Sequence, residues 1–180
     1  MPLTMTKLTT QSIARISLMA ALTIGLSFVR IPYAVPFTLL TLSCMIAGLI
    51  LPKNEAVLSQ IMYIVLGLIG LPIFTAGGGL SYVIYPTFGY IIFLPVMSYI
   101  IASLKEKNII VALIAGSLPQ LLFGALYYFF ILTVIQNVEN ELGSILMALF
   151  VTFIPVEILK AVAAYLLYIN LPKNFKENLK

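Results

Sequence analysis

The stretch IIVALIAGSLPQLLFGALYYFFILTVI, from Ile109 to Ile135, contains no charged residue. An α-helix rises about 1.5 Å per residue, so about 20 apolar residues cross the roughly 30 Å hydrocarbon core of a bilayer. This run is long enough to do so unaided, and Gly116, Pro119 and Gly124 predict a kink within it. The rest of the chain has the same character. Of its 180 residues 62% are hydrophobic and 9% charged, against about a quarter charged in a soluble domain. The reading is an all-α integral membrane protein, a single domain over residues 1–180 with six transmembrane helices.

The other five apolar runs frame this one. They cover about Ile13 to Val29, Phe37 to Leu51, Ala56 to Leu71, Tyr82 to Leu104 and Leu142 to Leu171. The first ends at Arg30-Ile31-Pro32, where proline moves its predecessor out of helix. Pro52-Lys53-Asn54-Glu55 reads as the loop between the second and third, and Pro86 and Pro95 interrupt the fourth. Between the third and fourth lie Gly77, Gly78 and Gly79, three consecutive residues that cannot sustain a helix. No internal repeat supports an inverted-repeat transporter.

Six crossings place Lys7, Arg15, Lys53, Lys105, Lys107, Lys173, Lys176 and Lys180 on one side, and Arg30 with Glu139 and Glu141 on the other. The positive-inside rule then makes both termini cytoplasmic and the glycine-rich loop external. Lys7 and Arg15 before an apolar run also suit a signal peptide, but with five further spans a retained first helix fits better. The net charge of +4 sits in short clusters between spans, not in a basic stripe interleaved with aromatics, so no nucleic acid is expected as partner.

Chemistry is excluded as sharply. There is no histidine, which removes the commonest general base and metal ligand. Cys44 is alone, so one chain builds no disulfide or cysteine metal site from it. The spans offer one glutamate and neither histidine nor aspartate, too little for an intramembrane protease or transferase. No enzyme activity, cofactor or metal is expected.

Two features point to binding. Glu157 and Lys160, three apart on one helical face, are the ionisable residues deep in a span, with Pro155 able to open the helix beside them. Buried ions in hydrocarbon are costly and face a partner, a ligand or a bundle interior. One reading is a pair that pins the sixth helix; the other is that Lys160 meets a substrate anion while Glu157 orients it or accepts ligand donors. The second feature is the external loop with the aromatics that follow it. An apolar wall of Phe74, Tyr82, Tyr85, Phe88 and Tyr90, with Thr87 among them and Gly78 and Gly79 permitting close backbone approach, is expected over a floor of Glu157 and Lys160. In the first helix Ser17, Ala21 and Gly25 recur every four residues, a stripe that lets another helix approach, whether of this chain or of a separate subunit.

The run Val35-Pro36-Phe37-Thr38-Leu39-Leu40-Thr41-Leu42, then Ala47-Gly48-Leu49, then Leu66-Gly67-Leu68-Ile69-Gly70-Leu71-Pro72-Ile73-Phe74 with the glycines at 77 to 79, closely resembles the BioY family of biotin-binding S components of energy-coupling factor (ECF) transporters. Pro86-Thr87-Phe88-Gly89-Tyr90 is similar to that family's Gly-Pro-Thr-Gly-Gly-Tyr segment, and Pro155-Val156-Glu157-Ile158-Leu159-Lys160 to its Pro-x-Asp-x-x-Lys segment. The resemblance implies a prokaryotic cell-membrane protein that captures biotin from outside. It implies docking on a transmembrane coupling subunit driven by two ATPases, with Ala14, Ser17 and Ala21 as the docking face, and a substrate site that includes Thr38. ATP hydrolysis would belong to those partners; the chain has no Gly-x-x-x-x-Gly-Lys-Ser/Thr loop.

The departures bear on the ligand. Glu157 stands where the family usually has Asp, Leu40 where Gln is common, Gly79 where Asn is frequent, and Phe88 replaces a glycine. A ureido ring presents two N–H donors and a carbonyl, and a site that reads them needs matching polar groups. Lipoate, with the same acid tail and a less polar ring, is therefore the alternative ligand. A structural membrane subunit with no ligand is the third class.

Overall fold

Thr9 starts the first helix, its hydroxyl accepting from the Ser12 N–H at 3.2 Å. From there α1 runs Thr10–Ser27. The computed structural model describes residues 9–31, 37–137, 142–172 and 174. Lys7, Val35, Pro36, Glu139, Glu141, Lys173, Lys176 and Lys180 lie outside them. A two-residue antiparallel pair follows α1, β1 Arg30–Ile31 against β2 Phe37–Thr38, with Arg30 opposite Thr38. No alternating pattern announces so short a hairpin. The remaining helices are α2 Leu40–Ile50, α3 Lys53–Leu68, α4 Phe88–Ile92, α5 Leu94–Leu104, α6 Ile109–Phe130 and α7 Leu142–Asn170.

Two expected boundaries move, and the fifth run keeps its expected ends. Lys53, Asn54 and Glu55 are the first turn of α3, not a loop. Glu55 is buried there and pairs with Arg15 of α1 at 3.1 Å, which ties two helix starts together. The fourth run divides into a 3₁₀ turn, Leu80–Ile84, then α4 and α5. Pro86 has no N–H to continue the turn into α4, and Pro95 occupies the first turn of α5, where its missing N–H costs nothing. The fifth run stays helical through Pro119 and ends in a π turn, Ile131–Ile135.

α5 is the central element, packing on α2, α3 and α6, while α7 closes the bundle against α2 and α6, and α1 lies on α2 and α3. Close approach is built in: a Cβ on Gly48 or Gly116 would lie 2.7 Å from the Ile101 side chain. Lys105 at the end of α5 donates to the Leu49 and Leu51 carbonyls at 3.0 and 2.8 Å, satisfying acceptors at the end of α2. Arg15, Lys53, Glu55 and Lys105 thus gather at one end of the bundle. The hairpin and the glycine-rich loop lie at the other.

Polarity is inverted relative to a protein in water. Gln60, Gln120, Glu157 and Lys160 are buried, whereas Leu18, Leu159 and Ile158 are 74, 69 and 59% exposed. An apolar surface around a polar-containing interior suits a bilayer. Among the described residues, Ile109–Ile135 and Phe153–Asn170 are each long and apolar enough to cross one.

Candidate functional site

α7 carries the charged floor. Taking Leu142 as its start, Glu157 lies about 22 Å along the helix, near mid-length. Lys160 Nζ donates to Glu157 Oε2 at 3.1 Å and to Thr41 Oγ1 at 2.8 Å, and Thr41 Oγ1 donates to the same carboxylate oxygen at 3.1 Å. The result is a closed three-residue cluster joining α7 to α2. Glu157 and Lys160 are 5 and 6% exposed, so its hydrogen bonds are made away from bulk water. Glu157 Oε1, the second carboxylate oxygen, is buried and accepts no hydrogen bond from the protein.

Above the cluster is an open-mouthed cavity with about 580 Å³ of empty space, its mouth included. Besides Thr41, three threonines from separate elements line it: Thr38 at the end of β2, Thr75 of the glycine-rich loop, and Thr87 just before α4. Leu40, Ile91 and Leu121 are apolar wall, and the Tyr90 and Phe153 rings are stacked with centroids 5.6 Å apart. Tyr90 fits because α6 has glycine opposite it; a Cβ on Gly124 would lie 2.2 Å from the tyrosine ring. Gln120 of α6 also lines the cavity and donates from Nε2 to the Tyr90 carbonyl at 3.2 Å. Its Oε1 is buried and accepts nothing from the protein.

Five of the eleven residues expected to bind substrate line this cavity: Thr38, Thr87, Tyr90, Glu157 and Lys160. Of the five aromatics expected as its wall, only Tyr90 does. Phe74, Tyr82 and Phe88 are 1, 1 and 2% exposed and form an aromatic cluster behind it. The Phe74 ring lies 4.7 Å from Tyr82, 5.6 Å from Tyr63 and 6.4 Å from Phe88. Tyr85 stacks on the cluster's outer side, 5.0 Å from Tyr82. The reason is Gly67 on α3, where a Cβ would lie 2.0 Å from Phe74: the missing side chain lets the loop seat its ring in the core. The cluster still touches the cavity indirectly, because the Tyr82 hydroxyl is bonded to Thr87 Oγ1 at 3.0 Å.

Gly78 and Gly79 also stand back from the cavity. Gly79 has φ of 102° and donates its N–H to the Gly67 carbonyl at 2.8 Å, a left-handed conformation that strains other residues. A Cβ on Gly78 would lie 2.1 Å from the Leu71 carbonyl oxygen. These glycines clamp the loop to the end of α3, and Thr75 is the loop residue that reaches the cavity.

Thr41, Thr75, Gln120 and Phe153 escaped the sequence reading. Gln120 had a signal, as the one amide inside the uncharged run from Ile109 to Ile135. Thr41 had none, since its partners lie more than a hundred residues away.

On α1, Ala14, Ser17, Ala21 and Gly25 are exposed, and nothing lies within 4 Å of where a Gly25 Cβ would be. The opposite face, Ile16, Met19, Ala20, Thr23 and Ser27, packs into the bundle. Of the two partners open to the small-residue stripe, the chain's own helices do not take it up among the described residues.

The sequence matches the family model described as "BioY family" over residues 4–177. It is 35% identical over 175 residues, 93% of this chain and 89% of that protein, to the "Probable biotin transporter BioY" of Lysinibacillus sphaericus. It is 33% identical over 159 residues, 84% of each chain, to the "Biotin transporter BioY2" of Lactococcus lactis. The fold is similar to a crystal structure of the S-component for biotin from an ECF-type ABC transporter, with a TM-score of 0.70, 28% identity and 88% of both chains covered.

Proposed function

This chain belongs to the BioY family, and on that footing we propose that it captures biotin for import as the substrate-binding component of an ECF-type transporter. The observation that carries the reading is the Thr41–Glu157–Lys160 cluster at the floor of a cavity, with Glu157 Oε1 left unpartnered. A pair that only pinned α7 would gain nothing from bordering a cavity, and would leave no buried carboxylate oxygen unsatisfied at a cost of about 1–3 kcal/mol. A ligand donor removes that cost. Lys160 has three N–H groups and spends two within the cluster, so one remains for the ligand's carboxylate.

Thr38, Thr75, Thr87 and Tyr90 complete the contact surface, and Phe74, Tyr82, Tyr85 and Phe88 support it from behind. The domain is one six-helix unit over residues 1–180, crossing the bilayer six times with both termini cytoplasmic and the glycine-rich loop external. Arg15, Lys53 and Lys105 at the opposite end of the bundle support that orientation. The outward stripe Ala14, Ser17 and Ala21 docks a transmembrane coupling subunit, and two ATPase subunits supply the energy.

Lipoate is the second reading, favoured by Leu40, which puts an apolar side chain on the cavity wall. A melting-shift series in detergent with biotin, dethiobiotin, lipoate, thiamine and riboflavin separates the two, since a ligand that prefers the folded state raises Tm by an amount that grows with the logarithm of its concentration over its Kd. Biotin and dethiobiotin should stabilise the protein at micromolar concentration and thiamine and riboflavin should not. Stabilisation by lipoate alone would overturn the biotin assignment.

A further inference from the structure

The geometry points to Gln120 as a specificity-determining residue that reads one ring N–H of the ligand. This rests on the biotin reading and adds to it a group on α6, the helix that supplies neither charge of the floor.

Three observations converge. First, the amide has one orientation: the Tyr90 carbonyl can only accept, so the group 3.2 Å from it is the NH₂, and the carbonyl oxygen is directed elsewhere. Second, that oxygen is buried, on a residue 1% exposed, and accepts no hydrogen bond from the protein. Third, Gln120 lines the same cavity as Glu157, whose Oε1 is also an unpartnered buried acceptor. One cavity is therefore lined by two residues that each hold an unpartnered buried acceptor. A cyclic urea has two N–H donors, whereas a dithiolane ring has none. Burying the urea satisfies both oxygens; burying the dithiolane leaves both unsatisfied, and a site with buried polar groups left unpaired rejects such an analogue strongly. The bond to Tyr90 also fixes the amide before binding, which lowers the ordering cost of recognition.

The test compares biotin with its two singly N-methylated ureido derivatives, measured by calorimetry in detergent on the full chain and on Gln120→Ala, whose smaller side chain leaves room for the methyl group. Gln120→Ala should weaken biotin about three- to tenfold, the worth of one neutral hydrogen bond. The penalty for methylating one particular nitrogen should shrink by a similar factor, while the penalty at the other, facing Glu157, persists. A purely packing role would weaken all three ligands equally and leave both penalties intact, and that result overturns the proposal. Gln120→Val, also smaller than glutamine and without an acceptor, gives the same comparison if the alanine variant does not fold, as judged by its ligand-free Tm. Failure of the original protein to bind biotin at all would instead bring down the biotin reading, and this inference with it.

Discussion

Thr41, Glu157 and Lys160 form a unit in which each side chain's geometry depends on the other two. Thr41→Val keeps the shape and removes both hydrogen bonds to charged groups, each worth roughly 1.5–3 kcal/mol. Biotin affinity should fall at least tenfold by calorimetry, with ligand-free Tm falling by a few degrees; unchanged affinity would mean that the threonine is a bystander. Lys160→Met should weaken binding about ten- to a hundredfold. If its free N–H holds the ligand's carboxylate, the original protein should prefer biotin over biotin amide and Lys160→Met should discriminate far less between them. A preserved preference would place the carboxylate on another group. At this scale the sequence was informative about charge and silent about pairing. A glutamate and a lysine three apart in an apolar run are conspicuous alone, but Thr41 joins them through a contact between α2 and α7 that no local pattern encodes.

Elements decide which side chains reach the cavity. The aromatics after the glycine-rich loop were expected as its wall because tyrosine and phenylalanine suit ligand faces, but the same residues suit a core. Gly67 tips the balance by admitting Phe74 against α3. Gly124 plays the matching part for Tyr90, and there the consequence is functional. In Gly124→Ala the added Cβ would fall 2.2 Å from the tyrosine ring, which must move away from α6, breaking its stack on Phe153 and disturbing the carbonyl that holds Gln120. Biotin affinity should drop about tenfold or more while circular dichroism reports the same helix content; unaltered binding would show that the ring relaxes without reaching the site. α1 allows a different dissection. Its outward face was legible from the spacing of Ser17, Ala21 and Gly25, whereas whether it met this chain or another was not, because small residues serve both. With that face exposed, Ala21→Trp should abolish uptake by cells expressing the whole transporter and leave biotin binding by the purified chain within about twofold. Loss of binding as well would mean that the stripe packs inside the bundle after all.

The whole molecule places its ions by depth. Arg15, Glu55 and Lys105 tie helix ends together at one end of the bundle, Glu157 and Lys160 lie near the middle of α7, and the glycine-rich loop with Thr75 lies at the far end. Run lengths and basic residues made the helix count legible in the sequence. The hairpin and the split into α4 and α5 were not, since two-residue strands and a break between Ile92 and Leu94 leave no periodic trace in an apolar run. Orientation follows from the same ladder of charge. If the Arg15–Lys105 end is cytoplasmic, the chain beyond Asn170, where α7 ends, emerges on that side, and Gln136, just past the π turn, lies on the other. Single cysteines at Lys176 and Gln136 in a Cys44→Ala background report this directly, since Cys44 is fully buried and its removal clears the only competing thiol. In intact cells a membrane-impermeant maleimide should modify Gln136→Cys at once, and Lys176→Cys only after the membrane is permeabilised. Modification of both from outside would require an even number of crossings between Gln136 and Lys176, so that α7, the single helix between them, did not carry the chain across the bilayer. That result would overturn the six-span orientation, and with it the external position of the loop from which Thr75 reaches the cavity.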